Sequence, residues 1–265
     1  MNSIKSLLKL VILIATMVVN YPSVANTEKL ECLQRAYPNY IKKIIDSNTY
    51  ENINGLKLAF SSSRTFVNYD DMLDNADLKA QLSQRYFVGK PNASPDIDFE
   101  PGRIRSDIFF RELYGSDKSN IEKSLVAVWW PPCNCKVFFN SKHGAAKALE
   151  ALGEEIKSDE KIKLYLQKPN GTFNYRNIAG TKRLSPHSHG IAIDFTFPKN
   201  NEYWQWGKRV NGRVNFPTTA YENETLMKVV VAFEKYGFIW GGKWYHYDTI
   251  HFEYRPELVK FDCGG

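Results

Sequence analysis

The sequence predicts an α+β fold, and three observations carry that expectation. Leu125–Trp130 and residues 191–197 are β-rich runs of apolar and branched side chains. Residues 142–156 and 218–236 repeat their apolar side chains at helical spacing. The two kinds of segment alternate without the regular strand–helix–strand rhythm of a doubly wound sheet.

Taken in order, residues 1–25 read as a signal peptide. Lys5 and Lys9 form a basic start, residues 10–19 are apolar, and Ser23-Val24-Ala25 offers small side chains at a cleavage site. That apolar run is far below the roughly 20 residues that span a bilayer, so no membrane span is expected once it is removed. Residues 27–48 carry apolar positions at helical spacing, from Leu30 and Leu33 to Ile44 and Ile45, with Pro38 interrupting or kinking the helix. Residues 55–60 alternate like a strand, and residues 70–86 look helical. Pro91, Pro95 and Pro101 mark residues 87–102 as a surface loop. The loop divides an N-terminal extension at 26–102 from a core domain at 103–265. A short helix is expected at 103–115, and Pro131-Pro132 stops the strand at Trp130. The helix at 142–156 turns Ala145, Ala146, Leu149 and Leu152 inward. Gly237 ends the helix at 218–236, and a short strand closes the pattern at 250–254.

The mature chain of about 240 residues suits one large domain, or a core with an extension. Loss of Lys5 and Lys9 takes the formal charge from +6 to +4. That mild bias suits an anionic partner such as a cell wall, while no basic stripe or helix-turn-helix pattern points to nucleic acid. Four cysteines, Cys32, Cys133, Cys135 and Cys263, read as two disulfides in an exported chain. Cys133 and Cys135 are separated by one residue, an awkward span for a mutual bridge, so each is expected to reach Cys32 or Cys263.

Two short runs carry the chemistry. The first is Ser185-Pro-His187-Ser-His189-Gly190-Ile-Ala192-Ile-Asp194, and the second runs from Gly237 to Glu253 and contains His246, Asp248 and His251. Two imidazoles and one carboxylate, His187, His251 and Asp194, form a donor set for one zinc ion with a position left open for water. His187 and Asp194 are seven residues apart and cannot lie in phase on one uninterrupted strand. Gly190 permits a turn or bulge between them, and His251 is expected from an adjacent strand. Asp248 lies three residues before His251, where a carboxylate can act as general base.

The pattern Ser-x-His-x-x-Gly-x-Ala-x-Asp, followed about fifty residues later by Asp-x-x-His-Phe-Glu, resembles the M15 family of zinc peptidases. The resemblance extends to Phe173-Asn-Tyr-Arg176-Asn-Ile-Ala-Gly-Thr181 and covers roughly residues 100–258. It implies an antiparallel sheet with flanking helices, a Hedgehog/DD-peptidase-like core, and one zinc ion held by His187, Asp194 and His251. It implies Asp248 as catalytic base and an arginine stabilising the oxyanion, with Arg176 the first choice and Arg183 the second. Ser185 and Glu253 are expected to orient the ligand imidazoles. The implied substrates are peptidoglycan stem peptides in the periplasm or outside a bacterial cell. The Asp-x-x-His form resembles the L-alanyl-D-glutamate endopeptidases more than the D-alanyl-D-alanine carboxypeptidases. A zinc-containing module that binds cell wall without cutting it is the reading from another class.

His246 reads as a polar residue near the site without a metal bond, and His143 as unrelated to it. Ser185 lacks the Gly-x-Ser-x-Gly setting of a nucleophile. Trp204, Trp206, Trp240 and Trp244 are expected mainly to pack, with Trp240 and Trp244 the candidates for the edge of a sugar or peptide groove.

Overall fold

The computed structural model describes residues 21–206, 209–210 and 213–265. The apolar run at 10–19, and most of the expected signal peptide, lie outside those residues. No helix among the described residues is long and apolar enough to cross a membrane.

The chain opens with α1 (Tyr21–Ala36), then a three-stranded antiparallel sheet of β1 (Ile41–Asp46), β2 (Thr49–Asn52) and β3 (Lys57–Ala59). The single kinked helix expected over 27–48 is therefore corrected. Pro38 cannot continue a helix and disfavours helical backbone at Tyr37, so α1 ends at Ala36. Ile41 and Ile44 belong to β1. The helical pattern at 70–86 resolves into α2 (Tyr69–Asn75) and α3 (Leu78–Gln81), separated because Asp77 caps the second by accepting a bond from the Ala80 amide. Residues 87–102 contain no helix or strand.

Next come α4 (Asp107–Tyr114), α5 (Lys118–Glu122) and a hairpin of β4 (Leu125–Trp130) and β5 (Cys135–Asn140). Behind the hairpin lie α6 (Ala145–Ile156) and α7 (Glu160–Leu166). The central four-stranded sheet contains β6 (Pro169–Gly171) and β7 (Ala192–Phe195). After the two-residue strands β8 (Arg209–Val210) and β9 (Arg213–Val214) come α8 (Thr218–Glu222) and α9 (Glu224–Lys235). The sheet is completed by β10 (Phe238–Trp240) and β11 (His251–Tyr254), and α10 (Pro256–Val259) ends the pattern. Its strand order is β10-β11-β7-β6, antiparallel throughout. The architecture is α+β, with the helical pattern at 218–236 broken at Asn223, which caps α9.

One apolar core joins the parts. Leu30, Leu33 and Tyr37 of the N-terminal segment are buried in the same cluster as Trp130, Leu149, Phe195, Phe233 and Phe252. Phe233 and Phe252 stack at 4.0 Å, fixing α9 against the central sheet.

The expected cysteine pairing is also corrected. Cys32 joins Cys263, while Cys133 joins Cys135. The short pair closes because Asn134 adopts left-handed backbone (φ 52°) at the hairpin tip, bringing the flanking Cα atoms to 5.2 Å. A chain reversal supplies what an extended tripeptide lacks.

Candidate metal centre

The central sheet brings the distant motifs together. In the β7–β11 pairing His251 stands directly opposite Asp194, so the two side chains share one face. His187 arrives from a tight helical turn at Pro186–His189, which Pro186 starts and Gly190 ends in left-handed backbone (φ 67°). The left-handed backbone at Gly190 favours glycine, and a Cβ there would lie 2.6 Å from the end of the Leu125 side chain, which would have to shift. Ser185 accepts a bond from the His187 amide at 3.3 Å, capping the turn. Asn140 holds its other side, donating to the carbonyls of His189 and Gly190.

Asp194 sits between the two imidazoles. Its Oδ2 is 3.2 Å from His187 Nε2, and its Oδ1 is 2.8 Å from His251 Nδ1. His187 Nδ1 donates to the Thr172 carbonyl at 3.1 Å, which leaves the Nε2 lone pair of a neutral ring facing a carboxylate. Two acceptors placed that way need a proton or a cation between them. His251 meets carboxylates from both sides, with Nε2 3.6 Å from Glu253. Burial disfavours its imidazolium, but Asp194 and Glu253 outweigh this and push its pKa up to about 10. Burial likewise opposes ionisation of Asp194, yet the hydrogen bond from His251, and one from His187 once its Nε2 carries the proton, hold that carboxyl well below the usual range. The pocket is built to hold positive charge. His187, Asp194 and His251 offer donor atoms within 4.8 Å of one another and could hold a metal ion.

Asp248 lines the same cleft. Its Oδ1 is buried and meets no donor among the described residues. Burial raises its carboxyl to about 6, against the opposing pull of His251. The turn carrying it rests on Gly241, where a Cβ would meet the Asp248 carbonyl at 2.7 Å. A buried carboxylate oxygen without a donor, beside a cation-attracting triad, fits a site that holds a metal and works on its water.

The arginines divide. Arg176 lines the metal cleft, and its backbone is fastened to the His187 turn through Ser188. The Ser188 hydroxyl accepts from the Arg176 amide at 2.9 Å and donates to the Arg176 carbonyl at 2.7 Å. Arg183 instead faces Asp74 at 2.8 Å in an adjoining smaller pocket. Sequence reasoning missed Arg103 and Arg105, which also line the cleft. Their only signal was a charged Arg-x-Arg run directly after the proline-rich loop. Arg105 is buried against Glu253 at 3.3 Å, and burial lowers its pKa to about 10 despite that carboxylate. Glu253 thus steadies both an imidazole and a guanidinium.

His246 lies outside the triad. Its amide and Nδ1 meet the buried Glu100 carboxylate at 2.6 and 2.7 Å. Glu100 also accepts from Tyr69 at 2.6 Å, so the proline-rich loop is wired to the site's edge. His143 belongs to an aromatic cluster with Tyr37, Tyr40 and Tyr114. Trp240 is fully buried and leaves the groove, whereas Trp244 and Trp206 line the cleft, Trp206 with 73% of its surface exposed.

A His–Asp–His cleft on an antiparallel sheet, with a buried carboxylate oxygen beside it, could hold a metal ion next to a base. Residues 179–254 match an M15 peptidase family model described as D-alanyl-D-alanine carboxypeptidase. The match spans less than a third of the chain and contains the triad's Asp194, His187 and His251, together with Asp248. No curated protein and no solved structure matches the chain.

Proposed function

We propose that the protein is an exported zinc peptidase that hydrolyses an amide bond in peptidoglycan stem peptides, cutting between L-alanine and D-glutamate. The observation that carries the reading is the convergence of His187, Asp194 and His251 beside Asp248, whose buried Oδ1 meets no donor among the described residues. The peptidase class follows from the family match, and the Asp248 form of the second motif supports the endopeptidase branch. Residues 103–265 form the peptidase domain in this reading, built on a Hedgehog/DD-peptidase-like core. The signal-like composition of residues 1–25 supports export to the periplasm or beyond.

His187, Asp194 and His251 would hold one zinc ion through imidazole nitrogen and carboxylate oxygen. When bound, zinc supplies a Lewis acid for the scissile carbonyl and acidifies water at neutral pH. Asp248 takes the proton of the attacking water and returns it to the departing amine. Arg176, fixed beside the His187 turn, offers its guanidinium to the charge that develops on the carbonyl oxygen. Arg183 takes that role only if its ion pair with Asp74 opens.

The description of the matching family favours a second bond, the terminal D-alanyl-D-alanine amide. Mass spectrometry of an N-acetylmuramoyl pentapeptide treated with zinc-loaded protein separates the two. A cut after L-alanine supports the endopeptidase, and loss of one alanine replaces it with the carboxypeptidase. An intact substrate would leave the wall-binding module as the reading.

A further inference from the structure

We infer that Trp206 and Tyr203 form a sugar-binding platform on the rim of the metal cleft, taking the amino-sugar ring that carries the stem peptide. The inference rests on the peptidoglycan reading above. Trp206 is among the most exposed large apolar side chains described, yet its backbone is anchored. Its amide donates to the Tyr203 carbonyl at 2.8 Å, and Tyr203 pairs as an isolated bridge with Asp248. The neighbouring Trp204 amide donates to the Tyr247 carbonyl at 2.9 Å. The segment is thus laid along the turn that carries Asp248, and its rings are presented on a fixed frame. Tyr203 and Trp206 meet edge to face, with centroids 5.4 Å apart at 73°.

An indole left in water at the mouth of a cleft is a binding surface awaiting an apolar partner. A stem peptide offers little to cover it, because its side chains are methyl groups, carboxylates and an amine or amidated equivalents. The one broad ring on the substrate is the sugar, whose C–H face can lie against the indole while its hydroxyl and amide groups face outward. Gln205 and Arg176 line the same cleft and supply hydrogen-bond donors for those groups.

The placement also selects a bond. One residue separates the sugar's lactyl group from the L-alanyl-D-glutamate bond, while four separate it from the terminal D-alanyl-D-alanine bond. At about 3.5 Å per extended residue the sugar then lies within ~4 Å of chain from the reacting carbonyl, or some ~14 Å away. Trp206 and the triad line one cleft, so a sugar seated on the platform favours the nearer bond.

The test compares two substrates that differ only in the sugar: N-acetylmuramoyl tripeptide and the free tripeptide. Trp206→Ala is expected to raise KM about tenfold more for the first than for the second, with Trp206→Phe restoring most of the difference. Trp129→Ala, which removes an exposed tryptophan from the β4–β5 hairpin outside the cleft, is the control and should leave both unchanged. Equal losses on both substrates, or none on either, would overturn the platform while leaving the peptidase reading in place. If wild-type protein cuts neither substrate, the endopeptidase reading falls, since neither tripeptide carries a D-alanyl-D-alanine bond, and fluorescence titration with the disaccharide N-acetylglucosaminyl-N-acetylmuramic acid decides. A saturable change that Trp206→Ala abolishes supports the platform, and no change overturns it.

Discussion

Asp194 is the residue on which the site turns. Each carboxylate oxygen faces a different imidazole, and the two rings come from different elements. Replacing it by asparagine keeps the shape but removes the charge that holds a cation. Asp194→Asn should weaken zinc binding by more than about 100-fold, the upper end of what outer partners contribute, as read by chelator competition. His187→Ala should lose the metal after dialysis, measured by elemental analysis. Histidine and aspartate advertise their chemistry, so the triad and Asp248 were legible as residue types. Thr172 and Ser188 were not. They act through a carbonyl oxygen and a backbone staple, and no side-chain pattern reveals which distant carbonyl will lie beside an imidazole.

Among the elements, the turn at Pro186–His189 and the β4–β5 hairpin depend on each other. Gly190 carries left-handed backbone, and a Cβ there would push the end of the Leu125 side chain aside. Gly190→Ala should therefore cost about 1–3 kcal/mol in denaturant unfolding and also weaken zinc binding, because strain and overpacking fall on the turn that presents His187. The need for a glycine between His187 and Asp194 was readable from their odd spacing. The hairpin was only half readable. The apolar run of β4 was clear, but β5 alternates around a tip whose geometry depends on Asn134 leaving the right-handed region. That reversal is why the Cys133–Cys135 pairing escaped a reading based on extended-chain distances. Helix ends failed for a similar reason. The apolar spacing ran smoothly through Pro38, Asp77 and Asn223, while a ring constraint and two side-chain caps set the actual breaks.

Across the whole molecule, a buried chain of charge ties the N-terminal segment to the metal centre. Tyr37 donates to Glu257 at 2.6 Å, and Arg255 donates to the same carboxylate at 2.6 Å. Arg255 also meets Glu253 at 3.3 Å, and Glu253 faces His251. Arg255 is fully buried, so its removal leaves Glu257 in the core without its cation, while Glu253 keeps Arg105. Arg255→Met is expected to destabilise the fold by about 3–5 kcal/mol in chemical unfolding, since one partner of a buried ion pair is lost. The Cys32–Cys263 bridge clamps the same two ends across 231 residues of sequence. Serine at both positions should cost about 2–5 kcal/mol by the same measurement. Sequence placed a boundary near residue 102 from prolines and small polar side chains. The shared core and the Glu100–His246 contact depend on folding partners more than a hundred residues apart, which local composition does not encode. The measurement that tests the account most directly is peptide release from purified peptidoglycan by zinc-loaded protein and by Asp248→Ala, with metal content determined for both. The account predicts release by the wild type and a loss of at least about 100-fold in a variant that keeps its zinc. Release by Asp248→Ala at the wild-type rate, or none by the wild type, would contradict it.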